Sequence, residues 1–500
     1  MRFVDLSDAD LEALAQGLPD DDLVGVHLGE DHVDGGGQHH VGGLLSEADD
    51  VAVATDIALA HIRSTDLPER FAADPAERLE PDPTRYLGRE GLLVSDIVDA
   101  VTSAGPIRTG LGRTLWYYRR GVWLPDGDAE VYRRTRVLLG NRWRRLHADT
   151  VVAWLAADEP FIGDTEPTEY LNTRSGLVDW QRGTLAPHRV DLPTTYQIPH
   201  RWDPAATCPT VEAWLADVFP ADAVAFAWEL LGYLLLPANP FHRAVLLHGS
   251  GRNGKGTFLR LATALVGRDH ISNKTLQELG EDRFAAAGLY RKVANVAGDL
   301  DARTLKRTDV FKMATGGDRL SAQFKYGQPF EFDPIATFLF AANELPGTVD
   351  VTEGFFARWL VVPFTGYFPE GVADRTLEPR LHAEMEGVLV RAVSALRDVM
   401  ARDAFEVPTS VLASTADYRS KADPVRQFAA EVLEFDPDGR EPRTEVYRRY
   451  RDWCDDCGHV ALARRRFYDR LRNIMAVEDR RIHGVDYWAG VRIKTTEVVL

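Results

Sequence analysis

Apolar side chains recur at two different intervals along the chain, and the places where the interval changes divide it. Residues 244–248 form an apolar run that enters a glycine-rich turn at 249–257, and residues 258–266 continue with apolar positions at helical spacing. A strand, a tight turn and a helix are predicted there. Two more apolar runs, inside 292–301 and at 335–342, predict strands buried on both faces. Residues 377–404 predict a helical run. Upstream, 115–125 and 130–139 flank Asp126, Gly127 and Asp128, which predicts a β-hairpin followed by a helix. Short strands are expected at 170–172 and 176–180, then helices rich in Trp and Leu up to Pro237. At the far end, 425–435, 444–457 and 462–475 carry helical spacing and 483–493 reads as a hairpin, the pattern of three helices and a wing. Residues 1–90 differ: after a short helix at Leu6, Leu11 and Leu14 no period persists. There, Pro68, Pro75, Pro81 and Pro83 predict a partly ordered segment ending in a linker.

With 500 residues and 45% apolar side chains the chain buries several cores, which excludes disordered and disulfide-scaffold classes. Three cysteines, Cys208, Cys454 and Cys457, point to a reducing compartment. The N-terminal residues lack the basic start and apolar run of a signal peptide. The most apolar stretch, 224–238, is interrupted by Glu229 and is too short to span a bilayer, so no membrane partner is expected. A net charge of −18 would disfavour nucleic acid, but residues 1–100 carry −17 of it. The other four hundred residues are nearly balanced with their arginines clustered, which keeps DNA binding open. Between 92 and 147, Trp116, Tyr117, Tyr118, Trp123, Tyr132 and Trp143 alternate with arginines. That mixture suits stacking on nucleic acid, and equally a hairpin whose rings form a small core. His27, His32, His39 and His40 read as a flexible loop, since no partners stand at ligand spacing.

The turn at 249–257 has the residues a phosphate cradle needs. Glycines let backbone N–H groups face the phosphates, the helix N-terminus adds its dipole, and Lys255 reaches the outer phosphates. A chance G-x-x-x-x-G-K in this composition is expected about 0.05 times per chain, so the loop is assigned to ATP. Its binding residues are Gly249, Gly251, Asn253, Gly254, Lys255, Gly256 and Thr257. Gly256 stands where a hydroxyl usually follows the lysine, which leaves Thr257 as a ligand for Mg²⁺. Downstream, Asp299 and Asp301 follow a strand; one would hold Mg²⁺, with Asp299 preferred, and the other polarise the attacking water. Asn343 at the tip of 335–342 fits a water-orienting amide and also an ordinary turn former. Arg358 lies among large apolar residues and calls for an anionic partner, either a structural carboxylate or a γ-phosphate bound by a neighbouring subunit.

In this order, residues 249–257 (GSGRNGKGT), 299–301 (DLD), 312–326 (KMATGGDRLSAQFKY), 341–346 (AANELP) and 354–359 (GFFARW) resemble the motifs of superfamily 3 helicases. The nearest type is the phage and plasmid primase/helicase proteins related to the poxvirus D5 and satellite phage P4 replication proteins. Residues 171–180 and 201–209 resemble the region that precedes the motor in that family. The resemblance implies an α/β fold: a D5-N-like α/β domain at 91–205, a helical collar at 206–240, a P-loop, AAA+-like helicase core at 241–405 and a winged helix at 420–500, after the acidic segment 1–90. It implies that Asn343 is a sensor, that Arg358 is a finger acting in trans, and that Lys325 tips a hairpin touching DNA. Ala357 stands where many relatives carry a second arginine, and the role of Lys312 is open.

The implied activity is an ATP-dependent DNA helicase and translocase that assembles into a ring, a hexamer, and replicates a phage or plasmid-like element in the cytoplasm of a bacterial host. ATP and Mg²⁺ are its cofactors, single-stranded and forked DNA its substrates, and other replication proteins its further partners. A bifunctional primase-helicase and an ATP-switched origin-binding factor are the alternatives; the acidic runs of residues 1–90 lack the paired strands a polymerising metal site needs. On the third C-terminal helix Arg464, Arg465, Arg466 and Arg470 fit the phosphates of DNA, and fit a solvated face as well. Cys454, Cys457 and His459 lack a fourth ligand, so zinc is not assigned.

Overall fold

The computed structural model describes residues 79–89, 91–301, 303, 305–348, 350, 352–369, 374 and 376–494. The expectations for residues 1–78, including the four histidines, lie outside the described residues. The first described part is built on two small antiparallel sheets. Ile107–Thr109, Leu115–Arg119 and Val122–Leu124 form one, with helices Val94–Ser103, Gly127–Leu139 and Arg145–Leu155 against it. Its hairpin turns on Arg120 and Gly121, both at positive φ, the conformation a two-residue turn needs to match strand twist. Trp116 and Trp123 are buried there and Trp143 donates to Thr135, so these rings serve the interior rather than a stacking surface. Tyr170–Thr173, Gly176–Asp179 and Thr184–Ala186 form the second sheet, whose third strand the apolar pattern does not announce.

The central block is a five-stranded parallel sheet. Its strands are β1 (Ala244–His248), β2 (Ile271–Ser272), β3 (Ala294–Ala297), β6 (Thr337–Ala342) and β7 (Trp359–Pro363), in the order β2-β3-β6-β1-β7. Alternate residues of β1 feed two different cores: Val245 and Leu247 one, Ala244 and Leu246 the other. Both faces are therefore covered, which explains the unbroken apolar runs. On the first face lie α1 (Lys255–Val266) and the helices Pro209–Val218, Val224–Tyr233 and Met385–Arg402. Gly232 lets two of these cross closely, because a Cβ there would stand 2.3 Å from the Ala392 carbonyl oxygen. On the second face lie α2 (Asp309–Gly316), a hairpin of β4 (Leu320–Gln323) with β5 (Pro329–Phe332), and the ring of Tyr418 from α3 (Thr409–Lys421).

The C-terminal part packs α4 (Pro424–Val432), α5 (Arg443–Asp456) and α6 (Arg464–Ile474) on a sheet of β8 (Leu433–Pro442), β9 (Glu478–Ile482) and β10 (Val485–Ile493), in the order β8-β10-β9. The first of the expected helices therefore stops at Val432, since Leu433–Phe435 pair with Val491–Ile493 instead. No helix among the described residues is long and apolar enough to cross a membrane.

Candidate functional site

The carboxyl ends of the parallel strands gather at one edge, and the glycine loop leaves β1 there. Four strand ends are stitched together by three bonds: Gly249 donates to Ala342 O (3.3 Å), Leu300 to Ala341 O (2.9 Å) and Phe364 to His248 O (2.7 Å). Gly249 is required by close approach, because a Cβ would meet Asn253 Nδ2 at 2.2 Å and Phe364 O at 2.3 Å. Gly254 adopts φ +91° at the start of α1, and no side chain caps that helix, so its first N–H groups stay open toward the loop. Lys255, only 6% exposed, donates to Gly249 O (2.7 Å), Asn253 Oδ1 (3.1 Å) and Asn343 Oδ1 (3.1 Å). Burial pushes its ammonium below the usual lysine range, and the Asp299 carboxylate opposes that. An ammonium surrounded by neutral oxygens in this way is stabilised further by an anion.

Two residues assigned from sequence, Lys255 and Asn343, thus meet across 88 positions of chain. Asn253 has more to do than line the loop: its buried side chain also donates Nδ2 to Phe364 O (3.1 Å), fixing the loop to the end of β7. Its signal in the sequence was the single amide among glycines. Asp299 is exposed beside Lys255 and holds φ +57°. Asp301 has a local partner instead. The Arg303 backbone N–H (2.8 Å) and guanidinium (2.5 Å) engage its carboxylate and hold it below the usual range. Thr257 accepts from Arg260 (3.3 Å), which pairs with Glu378 at 2.7 Å.

Arg358 stands at the opposite edge, beside the first residues of β1 and β7, where its carbonyl accepts from Ala244 (2.7 Å). Of the two anionic partners expected for it, no structural carboxylate is found among the described residues, and the side chain is half-buried. Its guanidinium donates to Thr315 Oγ1 (2.8 Å), Lys312 O (3.2 Å) and Gly354 O, all neutral, and no ion pair is found for it among the described residues. Lys312 Nζ binds Asp350 (2.7 Å). Burial alone would raise the Asp350 carboxyl, but hydrogen bonds from Lys312, Thr308 and Thr352 outweigh it and hold it at about 2. Helix α2 therefore carries the arginine on its last turns and leads directly into the β4–β5 hairpin.

At the tip of that hairpin Lys325 lies with its Nζ 5.3 Å from the Tyr326 ring. Tyr326 is 93% exposed at φ +67°, and Phe324 is half exposed. Phe324 stacks on Phe330 (5.1 Å), which with Phe332 packs against Tyr290 (5.2 and 5.4 Å), so an aromatic column stiffens the tip. Sequence reasoning named only the lysine of this set.

Three family models match the chain. A D5 N-terminal-like model matches residues 109–220, a family of unknown function (DUF5906) matches 247–358, and a poxvirus D5 protein-like model matches 420–499. Two of these models are D5-like, and with the relatives below they support a D5-like primase-helicase family. Among curated proteins this D5-like chain is similar to "Putative helicase L207/L206" of Acanthamoeba polyphaga mimivirus, 23% identical over 331 residues, 60% of this chain and 34% of that protein. It is also similar to "Putative helicase 022R" of Frog virus 3 (isolate Goorha), 24% identical over 311 residues, 56% of this chain and 31% of that protein. The D5-like chain spans about a third of the length of these relatives. Of solved structures, the apo C-terminal region of NrS-1 covers 79% of this chain and 98% of its own, with 11% identity and a TM-score of 0.48.

In the region of the D5-like chain that matches the poxvirus D5 model, the arginines of α6 divide. Arg465 and Arg466 are exposed, and Arg464 lies 5.3 Å from the Tyr447 ring. Arg470 is a correction: its Nε and Nη2 bind Asp423 Oδ2 (2.8 and 2.6 Å), a fully buried carboxylate that also caps α4. Removing that arginine from its partner would leave a buried charge, so Arg470 is committed to the fold. Cys454 is buried, Cys457 exposed, and His459 stacks on Trp453.

Proposed function

We propose that the chain is the motor part of a D5-like DNA helicase, driven by ATP hydrolysis at an interface between two copies. The observation that carries this reading is the separation of two complementary halves. Lys255, Asn253, Asn343 and Asp299 gather at the carboxyl edge of the sheet, and Arg358 stands at the other. Five strand residues at roughly 3.3 Å each put about 16 Å between them, beyond the reach of an arginine side chain. One copy therefore cannot complete its own site, and a ring supplies the missing half, as arginine fingers do.

The donor set fits the cofactors. A glycine turn at positive φ and the uncapped start of α1 suit phosphate oxygens, and the Thr257 hydroxyl with the Asp299 carboxylate are the hard oxygens Mg²⁺ takes alongside water. Bound Mg²⁺ would neutralise charge on the phosphates. Lys255 would exchange its three neutral acceptors for the outer phosphates, Asn343 would orient the attacking water, and a neighbour's Arg358 would offset charge that builds during transfer. Lys325, with Phe324 and Tyr326 beside it, offers the strand one cation and two rings. Replication of a viral element is the setting that the viral relatives support.

Hydrolysis measured with and without single-stranded DNA, together with the mass of the assembly in ATP, tests the reading. The expected result is DNA-stimulated turnover by a multimer and a loss of at least about a hundredfold in Lys255→Ala, the scale of removing one electrostatic stabiliser. Near-normal turnover in a folded Lys255→Ala protein would end it.

A further inference from the structure

Between the central block and the C-terminal part lies a cleft of about 940 Å³ whose lining is dominated by cations. Four of the seven are already committed: Arg307 to Asp309 (2.7 Å), Lys312 to Asp350 (2.7 Å), Arg470 to Asp423 (2.6 Å) and Arg419 to Glu353. The remaining lining carboxylate, Asp469, belongs to Arg472 (2.7 Å). Three cations remain over, Lys306 after β3, Arg426 on α4 and Arg466 on α6, and none has a side-chain ion pair or hydrogen bond among the described residues. Arg426 adds a second sign: its Nε is buried without an acceptor, as is that of Arg419. A buried donor left unmade costs about 1–3 kcal/mol, so the wall is short of acceptors as well as of negative charge.

We propose that this cleft binds the sugar-phosphate backbone of a single nucleic-acid strand through Lys306, Arg426 and Arg466, which rests on the reading that the chain engages DNA. Backbone recognition follows from what the wall lacks. Among the described residues Leu462 is its only apolar lining residue and no aromatic ring lines it, so a base finds no ring there to stack on, whereas phosphates find donors from three elements. The volume lies within the range of small-ligand sites, enough for a short run of strand and too small for a duplex. Arg466 continues the exposed face of α6 that begins with Arg464 and Arg465, so a strand leaving the cleft passes onto further cations.

The test is fluorescence anisotropy of a labelled oligothymidine across a salt series, for the full chain and for the triple variant Lys306→Gln, Arg426→Gln, Arg466→Gln. The triple variant Arg113→Gln, Arg268→Gln, Arg440→Gln, at exposed arginines outside the cleft, is the charge-matched control, and thermal melts confirm folding. Each phosphate contact on a single strand contributes about 0.7 to the log–log slope, so the triple variant is expected to lose about two. Between 1 M and 0.1 M salt that amounts to roughly a hundredfold in affinity, with no such loss in the control. An abasic strand of equal length is expected to show the same loss. A folded triple variant with unchanged slope overturns the proposal and leaves the motor reading standing, whereas absence of DNA binding by the unmodified chain ends both. Loss confined to strands carrying bases, or displacement of the strand by inorganic triphosphate in Lys255→Ala protein, also overturns it, the latter by revealing a site for a small anion.

Discussion

His200 and His270 are two imidazoles held neutral where the N-terminal part meets the central block. His200 Nε2 lies 2.7 Å from Ala264 O on α1, and His270 packs edge-on against Tyr196 at 4.8 Å. Burial pushes both rings down to about 4, and the contacts with neighbouring carbonyls offset it only in part. In the unfolded chain they take up protons below about 6.5, while in the folded protein they do so only near 4. The unfolded state therefore binds more protons across that window, and stability falls as the pH falls through it. The melting temperature is expected to drop as pH is lowered from 6.5 towards about 4. In His200→Gln, which keeps a donor but does not titrate, the drop should be smaller; an identical drop would show that His200 contributes nothing to it.

A stiff hairpin that carries exposed rings has a use for them. If the β4–β5 tip meets a strand, Tyr326 stacks on a base while Lys325 answers a phosphate. Stacking is worth about 1–3 kcal/mol per base, so Tyr326→Ala is expected to raise the Kd for single-stranded DNA by about five- to 150-fold. Tyr326→Phe keeps the ring and should stay close to the original protein, and neither change should alter the melting temperature, because the side chain is 93% exposed. Equal binding by all three proteins would remove the ring from the contact. The elements behind this site differ in how far the amino-acid pattern reveals them. β1, its glycine turn and α1 have local causes, an apolar run, glycines at forced φ and helical spacing, and all three were readable. Helix α3 was not, since only Val411 and Tyr418 of its side chains are buried and two apolar positions make no period. Arg470 and Arg466 look alike on α6, and only Asp423, 47 residues away, separates a structural arginine from an available one. The partner of Asp301 is local by contrast, an arginine two residues on that ordinary turn geometry brings to it.

At the scale of the assembly, the division between Lys255 and Arg358 predicts complementation. Asp299→Asn and Arg358→Ala proteins, each inactive alone, should regain activity when mixed in equal amounts, because roughly a quarter of randomly formed interfaces then join two intact halves. Hydrolysis assays over a range of ratios, with mixed assembly confirmed by mass, check this, and a flat zero would refute a shared site. Within one copy, the buried Glu229 has a longer reach than its role as an interruption in an apolar stretch suggests. It accepts from Arg402, the last residue of the helix Met385–Arg402, and from the N–H of Glu406 in the loop beyond it (3.1 Å), both of which follow the whole parallel sheet in sequence. A buried carboxylate without those partners is costly, so the helix Val224–Tyr233 has one productive seating, and its clamp is among the last parts of the block to be synthesised. On the ribosome the phosphate loop thus emerges some 150 residues before the chain that fastens its floor, and the nascent sheet must wait, with an apolar face uncovered, for Arg402 to arrive.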